Sequence, residues 1–445
     1  MGKDLTKGSE WRQLLGFALP MMGAQLLQVT YSMVDAIVVG NFVSAAALGA
    51  VSVPGPIIWI ASAIASGMGT GTNIIVAQYV GAEKHKEIRS AVVTSILFCG
   101  ILGAALSMIC ALLSGPIVHS FLQTPLEMQQ DAVTYLAIYS IGFFFQILYQ
   151  VFYGITRAFG DSKASLLFLM VAALLNLVLD LGFIIVLDWG VAGAALASVI
   201  AQVGSAAAAF LYLTVKYSSV SPVASRARPD KQQLTLIMRV SLPVTFQMVV
   251  QSAGFLLLQR MVNSFGPASI EGFAAMGKTE ELMHIPIICI STALASFVGQ
   301  NMGAQQVERA ERGIRFALYG MLLLSVVLGG VMLLCDQYIL RLFNITGDSL
   351  LRGKEHMDVM CLLLPVFTAN RVLNGALQGA GDVRIPVISS FTDLTLRLVC
   401  TAVLSLTPVA FRAVYLSTPP AWIAACLITV FRFRQGHWKH VHMVA

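Results

Sequence analysis

Apolar stretches long enough to cross a lipid bilayer recur twelve times along this chain, and that recurrence constrains its fold more than any single motif. A helix needs about 20 apolar residues to span the hydrocarbon core. The candidates are 14–40, 46–78, 90–114, 132–155, 164–187, 191–215, 236–263, 269–298, 314–335, 357–379, 385–407 and 413–431. In lipid, each span must satisfy its own backbone polar groups, so continuous apolar runs mean helices. A barrel would show alternation instead. Composition excludes a soluble chain: 57% of residues are hydrophobic and 11% charged, against roughly 25% charged in soluble domains. The expected fold is an all-α polytopic membrane protein. Its weakest span is the last, which Pro419 and Pro420 interrupt.

Lys and Arg set the orientation. If both termini are cytoplasmic, the inside segments hold 20 of the 28 basic residues and the outside segments four (Arg341, Arg352, Lys354 and Arg412). That asymmetry answers the positive-inside rule, and the even number of spans agrees. The net charge of +6 is therefore a topology signal rather than a nucleic-acid footprint, and no nucleic-acid partner is expected. The basic tail FRFRQGHWKH reads as a juxtamembrane anchor in contact with membrane lipids. Seven cysteines form no CxxC pair and sit in or beside apolar stretches, as small packing residues do.

The chain repeats itself. FALPMMGAQLLQ (17–28) matches VSLPVTFQMVVQ (240–251), with Pro20 and Pro243 at an offset of 223. AQYVGA (77–82) matches GQNMGA (299–304) at 222, and GITRAFGDSK (154–163) matches GALQGAGDVR (375–384) at 221. Between the halves lies a Ser-, Pro- and Arg-containing segment at 216–235. The division is thus an N-terminal six-helix bundle at 1–215, a cytoplasmic linker at 216–235 and a C-terminal six-helix bundle at 236–445. An even-numbered repeat keeps its membrane orientation, so the halves form a parallel internal repeat, and transporter sites lie where such repeats meet.

No nucleotide-cradling loop, HExxH or kinase set is present, so no enzymatic activity and no cofactor are expected. Such a membrane protein works on a gradient. Asp35 lies deep in the first span, where an unpaired charge costs about 2.5–3.5 kcal/mol on insertion scales. It is placed to take a proton in one access state and lose it in the other, with Tyr31 one turn earlier on the same face. Asn176 and Asp180 are spaced i, i+4 and point the same way. Two carboxylates, an amide oxygen and a hydroxyl, which Ser198 could supply, make a hard-oxygen set for Na⁺ or a shared proton. The bland alternative is interhelical hydrogen bonding. Tyr139, among the aromatics of the fourth span, is a candidate for lining a substrate path. Asp393 and Arg397, also i, i+4, most simply neutralise each other.

These motifs, in this order and duplicated, resemble the multidrug and toxic compound extrusion (MATE) family. The carrying residues are Pro20 with Asp35 in YSMVDAIVVGN, the turns at 78–82 and 300–304, GITRAFGDSK, NLVLD at 176–180, GAGD at 379–382 and GHWK at 436–439. The resemblance implies two six-helix bundles around a central cavity, exporting organic compounds as H⁺ or Na⁺ enters. It places Asp35, Asn176, Asp180 and Ser198 together as the ion-coupling site of the N-terminal bundle, with Ser198 where the family often has Thr. It implies that Pro20 bends the first helix when Asp35 is protonated. It also matches Glu280, six residues before Pro286, to an acidic position that could draw a cationic substrate, unless Lys278 or Arg371 balances it. The second half does not copy the ion site: at offset 223 Asp35 meets Leu258, and at 221 Asn176 and Asp180 meet Arg397 and Thr401. The expectation is a monomeric antiporter of the bacterial inner (cytoplasmic) membrane carrying organic cations. A flippase of a lipid-linked precursor is the alternative, and would need a cationic groove for phosphate.

Overall fold

A computed structural model describes residues 4–42, 45–122, 124–220, 228–341, 346–441 and 443, with backbone alone for 31–42, 45–48, 219, 267–268 and 410. Its long helices are α1 (Glu10–Phe42), α2 (Ala45–Ser52), α3 (Gly55–Gly81), α4 (His85–Leu112), α5 (Leu126–Ala158), α6 (Lys163–Asp180), α7 (Gly190–Lys216), α8 (Lys231–Asn263), α9 (Pro267–Gly303), α10 (Val307–Arg341), α11 (Gly347–Ala380), α12 (Arg384–Ser405) and α13 (Thr418–Arg434). Eleven segments beyond α1 are long and apolar enough to cross a membrane. With the 33 residues of α1, they make the twelve-helix all-α fold that the apolar pattern requires.

Most helices outrun their apolar stretches by a turn or more. α10 begins with VERAERG and α11 with GDSLLRGKEH. Hydrophobicity marks bilayer thickness, whereas helical hydrogen bonding continues into the polar interface until a capping residue stops it. At the end of the chain, Pro419 and Pro420 occupy the first turn of α13, where a missing N–H costs nothing. The prolines thus start that helix instead of breaking it. Together with Ala413–Leu416 it forms an apolar segment, Ala413–Arg434, of 22 residues.

The chain forms two compact units. One comprises Met1–Asp4 and Leu19–Met248, the other Leu5–Ala18 and Val249–Ala445. The assignment of 5–18 and of 231–248 follows from burial at matching positions. Leu14, Phe17 and Ala18 are each 1% exposed, one apolar stripe at i, i+3, i+4. Ile237, Val240 and Ser241, at the constant offset of 223, are as fully buried. Ahead of α1, the Leu5 N–H donates to Gln300 Oε1 at 2.9 Å, and Asn301 Nδ2 donates to the Leu5 carbonyl at 3.2 Å. The counterpart in the first unit is Gln233, whose Nε2 donates to the Tyr79 hydroxyl at 2.9 Å. Pro20 and Pro243 lie inside α1 and α8, close to where each helix passes from one unit to the other.

The repeat is also visible where backbones touch. A Cβ at Gly154 would lie 2.2 Å from the Gly69 carbonyl oxygen, and one at Gly375 would lie 2.4 Å from that of Ser291. These pairs are offset by 221 and 222, so α3 crosses α5 as α9 crosses α11, at a distance only glycine permits. The corner turns match as well. Gly160 and Gly381 have φ of +73° and +97°, conformations that favour glycine. The following aspartates anchor the last helix of their own half: Asp161 Oδ2 accepts from Lys216 Nζ at 2.6 Å and from the Tyr212 and Tyr217 hydroxyls at 2.7 and 3.0 Å, while Asp382 pairs with Arg432 at 2.7 Å. Burial would push the Asp161 carboxyl up, but the Lys216 ammonium and the two hydroxyls outweigh it and hold it below the usual carboxylate range.

Candidate functional site

In the first unit, Asn176 and Asp180 occupy the last turn of α6, 0% and 1% exposed. Their i, i+4 spacing puts both on the face turned away from lipid, while neighbouring Leu174 and Val178 are exposed. Ser198 on α7 approaches them, with Asn176 Nδ2 to Ser198 Oγ at 3.5 Å, the long limit of a hydrogen bond. Of the five expected ion-coupling residues, the structure thus sets Asn176 against Ser198, with Asp180 one turn further along α6. Tyr31 and Asp35 lie on α1, and their side chains fall outside the described residues. A feature with no periodicity signal follows Asp180: residues Leu181–Val186 wind as a π-helix. Such turns widen the helix and recur at functional sites. They arise from packing, which a run of apolar residues does not announce.

Tyr139 is half-buried on α5. It stacks on Tyr135 at 5.6 Å and meets Phe143 edge-on at 5.8 Å. It packs against a buried cluster of Tyr135, Ile184, Val191, Ala194 and Ala195, which adjoins the π-helical turn. One turn-ladder on α3 and α5 was not legible beforehand: Gln146 Nε2 donates to Ser62 Oγ at 2.9 Å, and Gln150 Nε2 to Ser66 Oγ at 3.0 Å. The i, i+4 spacing on both partners was the available signal.

In the second unit a cavity of about 220 Å³ is lined by Gln251, Glu280, His284, Arg371, Asp393, Arg397 and Trp422, among others. Glu280, the candidate substrate-attracting carboxylate, is among them. Neither Lys278 nor Arg371 balances it: Lys278 pairs with Glu281 at 3.1 Å, and the Glu280 carboxylate faces His284 Nε2 at 3.8 Å. The helical register is the reason, since Lys278 and Glu281 are i, i+3 whereas Lys278 and Glu280 diverge. His284 stacks on Phe367 at 4.0 Å, and Phe367 in turn meets Trp422 at 4.9 Å. Asp393 and Arg397 pair at 3.3 Å, as their spacing predicts. Among the described residues no group of three or more His, Cys, Asp or Glu side chains could hold a metal ion.

A twelve-helix membrane protein with a twofold repeat, a buried carboxylate–amide pair in one half and a polar cavity in the other is a multi-pass transporter of small molecules, not an enzyme. The MatE family model matches residues 20–181 and again 243–403. The chain belongs to that family, the multidrug and toxic compound extrusion transporters. It is 28% identical over 437 residues to the probable multidrug resistance protein YpnP of Bacillus subtilis, covering 98% of this chain and 97% of the relative. It is 26% identical to the probable multidrug resistance protein NorM of Thermotoga maritima, covering 96% and 93%. Solved structures share the fold: a MATE protein in complex with MaL6 superposes with a TM-score of 0.90 at 22% identity, over 98% of this chain and 99% of that one. A MOP superfamily transporter from Pyrococcus furiosus, described as having a binding pocket of reverse polarity, superposes at 0.89 with 22% identity over 98% of each chain.

Proposed function

We propose that the chain is a secondary active antiporter that exports amphipathic organic compounds, organic cations among them, as H⁺ or Na⁺ enters. The observation that carries this reading is the Asn176–Asp180–Ser198 group: a carboxylate 1% exposed inside a membrane helix, beside an amide and a hydroxyl. A buried carboxylate in lipid is expensive and marks a functional pathway. Carboxylate, amide and hydroxyl oxygens are hard donors that suit Na⁺, and the same carboxylate can instead carry a proton. With Asp35 added, two carboxylates would share one coupling ion, which travels as cargo. Resident cofactors have no role in this scheme.

Coupling requires that the ion bind one access state more tightly than the other, by an amount that the substrate repays with opposite preference. Neutralising Asp180 removes the charge that holds nearby dipoles toward it. The π-helical turn after Asp180 and the proline of α1 are the elements able to absorb the resulting change. Glu280 offers a countercharge for the cationic end of a substrate. The 20-to-4 distribution of basic residues supports cytoplasmic termini, and the proposed antiporter acts as a monomer in the bacterial inner membrane.

The test is transport of a fluorescent cationic dye in proteoliposomes, with an H⁺ or a Na⁺ gradient imposed separately, for wild type, Asp35→Asn and Asp180→Asn. Transport driven by one gradient and abolished by both substitutions is the expected result and names the ion. Dye movement indifferent to both gradients, or undiminished in either variant, overturns the assignment of that site.

A further inference from the structure

The two units carry the same helical scaffold, so a residue in one can be compared with its counterpart in the other, and the comparison changes sign at one place. In the first unit Ser62 and Ser66 on α3 accept hydrogen bonds from Gln146 and Gln150 on α5. The offsets of 222 and 221 turn these pairs into His284 with Phe367 and Ile288 with Arg371. The first becomes an aromatic stack at 4.0 Å. The second replaces the acceptor serine by an alkyl chain that can accept nothing. Both Ile288 and Arg371 line the cavity, and Arg371 lies over the Phe367 ring at 5.1 Å. Among the described residues no carboxylate lies within ion-pair distance of it.

The same offsets move the ion site. Asp35 becomes Leu258 and Asn176 becomes Arg397, and both replacements line the cavity that Arg371 lines. Thr401, in place of Asp180, is fully buried and donates to the Arg397 carbonyl at 2.7 Å, with Ser417 Oγ 2.9 Å away. Where the first unit gathers carboxylate and amide oxygens, the second adds two guanidinium groups, Arg371 and Arg397, to the carboxylates of Glu280 and Asp393. Asp393 holds Arg397 at 3.3 Å, and Arg397 also lies over Trp422 at 5.6 Å. Among the described residues Arg371 is left in no close ion pair, sharing the more distant charge of Asp393 with Arg397, in a cavity also lined by His284, Phe367 and Trp422. Burying an unpaired guanidinium in a membrane bundle is costly, and five donors in a planar fork match a carboxylate bidentately.

We propose that this cavity binds the carboxylate of a flat aromatic substrate, with Arg371 as the anion-binding residue and the His284–Phe367–Trp422 stack holding the ring. The proposal rests on the transport reading for its meaning: the substrates would include aromatic acids and zwitterions as well as cations. It rests on its own residues for binding. Glu280 opposes a simple acid and favours a molecule that also carries an amine.

The test is equilibrium binding to the purified full-length protein in detergent, without any gradient, using 2-naphthoate and its neutral isostere 2-naphthamide as probes. Wild type should bind the acid about tenfold or more tightly than the amide. Arg371→Gln should abolish that preference while leaving amide binding intact, which also reports that the cavity has folded. Ile288→Gln restores a hydrogen-bonding partner for Arg371 and keeps its charge, and it should cut the preference several-fold. Glu280→Gln should strengthen naphthoate binding. Equal binding of acid and amide by wild type, or a preference that survives both Arg371→Gln and Ile288→Gln, overturns the proposal. Asp180→Asn should leave the preference unchanged, so a failed antiport assay with intact naphthoate selectivity sinks the coupling mechanism alone.

Discussion

The α9–α11 crossing should fail on the addition of one methyl group. In Gly375→Ala the new Cβ would stand 2.4 Å from the Ser291 carbonyl oxygen, whereas carbon and oxygen rest at about 3.3–3.6 Å in even the close contacts between helices. The helices must part by about 1 Å, since the obstacle is backbone. Overpacking of this kind costs about 1–3 kcal/mol. Parting the helices also stretches the 2.6 Å bond from Ser291 Oγ to the Arg371 carbonyl, worth about 1 kcal/mol. The better helix propensity of alanine returns about 1 kcal/mol. The net loss is about 1–3 kcal/mol, and at about 2–4 °C per kcal/mol for a unit of this size the melting temperature should fall by about 2–12 °C. Fluorescence-detected size-exclusion chromatography of heated, detergent-solubilised protein measures it. Gly330→Ala, whose Cβ meets nothing within 4 Å, keeps only the propensity gain and should melt about 2–4 °C above wild type. If Gly375→Ala melts with Gly330→Ala, the backbone approach is not what glycine is there for.

Gly154→Ala, 2.2 Å from the Gly69 carbonyl oxygen, should lower the melting temperature by a similar amount, because the crossing is repeated; an undisturbed Gly154→Ala would break the equivalence. Asp161→Asn should destabilise by about 2 kcal/mol at neutral pH through lost charge-assisted bonds. Because the folded pKa of Asp161 is depressed, its contribution is present above the unfolded value of about 3.9 and is lost as pH falls through the folded one. The gap between wild type and Asp161→Asn should therefore close below about pH 4, and a gap independent of pH would contradict the pairing with Lys216. Leu5→Ala removes a side chain 1% exposed and should cost about 2–3 kcal/mol, read as a lower melting temperature; a neutral result would mean that the segment before α1 is not docked. Ser198→Thr should retain gradient-driven dye transport while Ser198→Ala slows it at least several-fold, and equal rates would remove the hydroxyl from the ion site.

What the sequence disclosed was whatever depends on local periodicity or on self-similarity. Apolar length announced the spans, and the offsets of 221–223 announced the matching turns at Gly160 and Gly381. The i, i+4 spacing put Asn176 with Asp180 and Asp393 with Arg397. What it concealed was contact between distant elements. Nothing near Asp161 names Lys216 and Tyr217, 55 and 56 residues on, as its partners. No propensity marks Leu181–Val186 for π-helical winding, since the turn is a packing outcome in an apolar run. The double proline at 419–420 misled because proline breaks a helix interior but suits a helix start, and only the position of Ser417 decides which applies. Glu280 was legible as a charge in a membrane helix with His284 one turn on, but Phe367, on which His284 stacks, had to be read from the fold.

The divergence between halves follows the same division of labour. Positions where backbones touch cannot drift: a side chain at Gly154 or Gly375 would force the helices apart, and the turns at Gly160 and Gly381 demand positive φ. Those positions are kept through the duplication. Side chains away from those backbone contacts bear no such constraint, because a different group can be accommodated without moving the helices. There the halves part company, Ser66 with Gln150 becoming Ile288 with Arg371, and Asn176 becoming Arg397. One duplicated scaffold can thus present oxygen donors in one unit and guanidinium donors in the other at equivalent places. Under the proposed antiport mechanism, the chain would hold a small cation and an amphipathic molecule at two sites of unlike chemistry without a second fold.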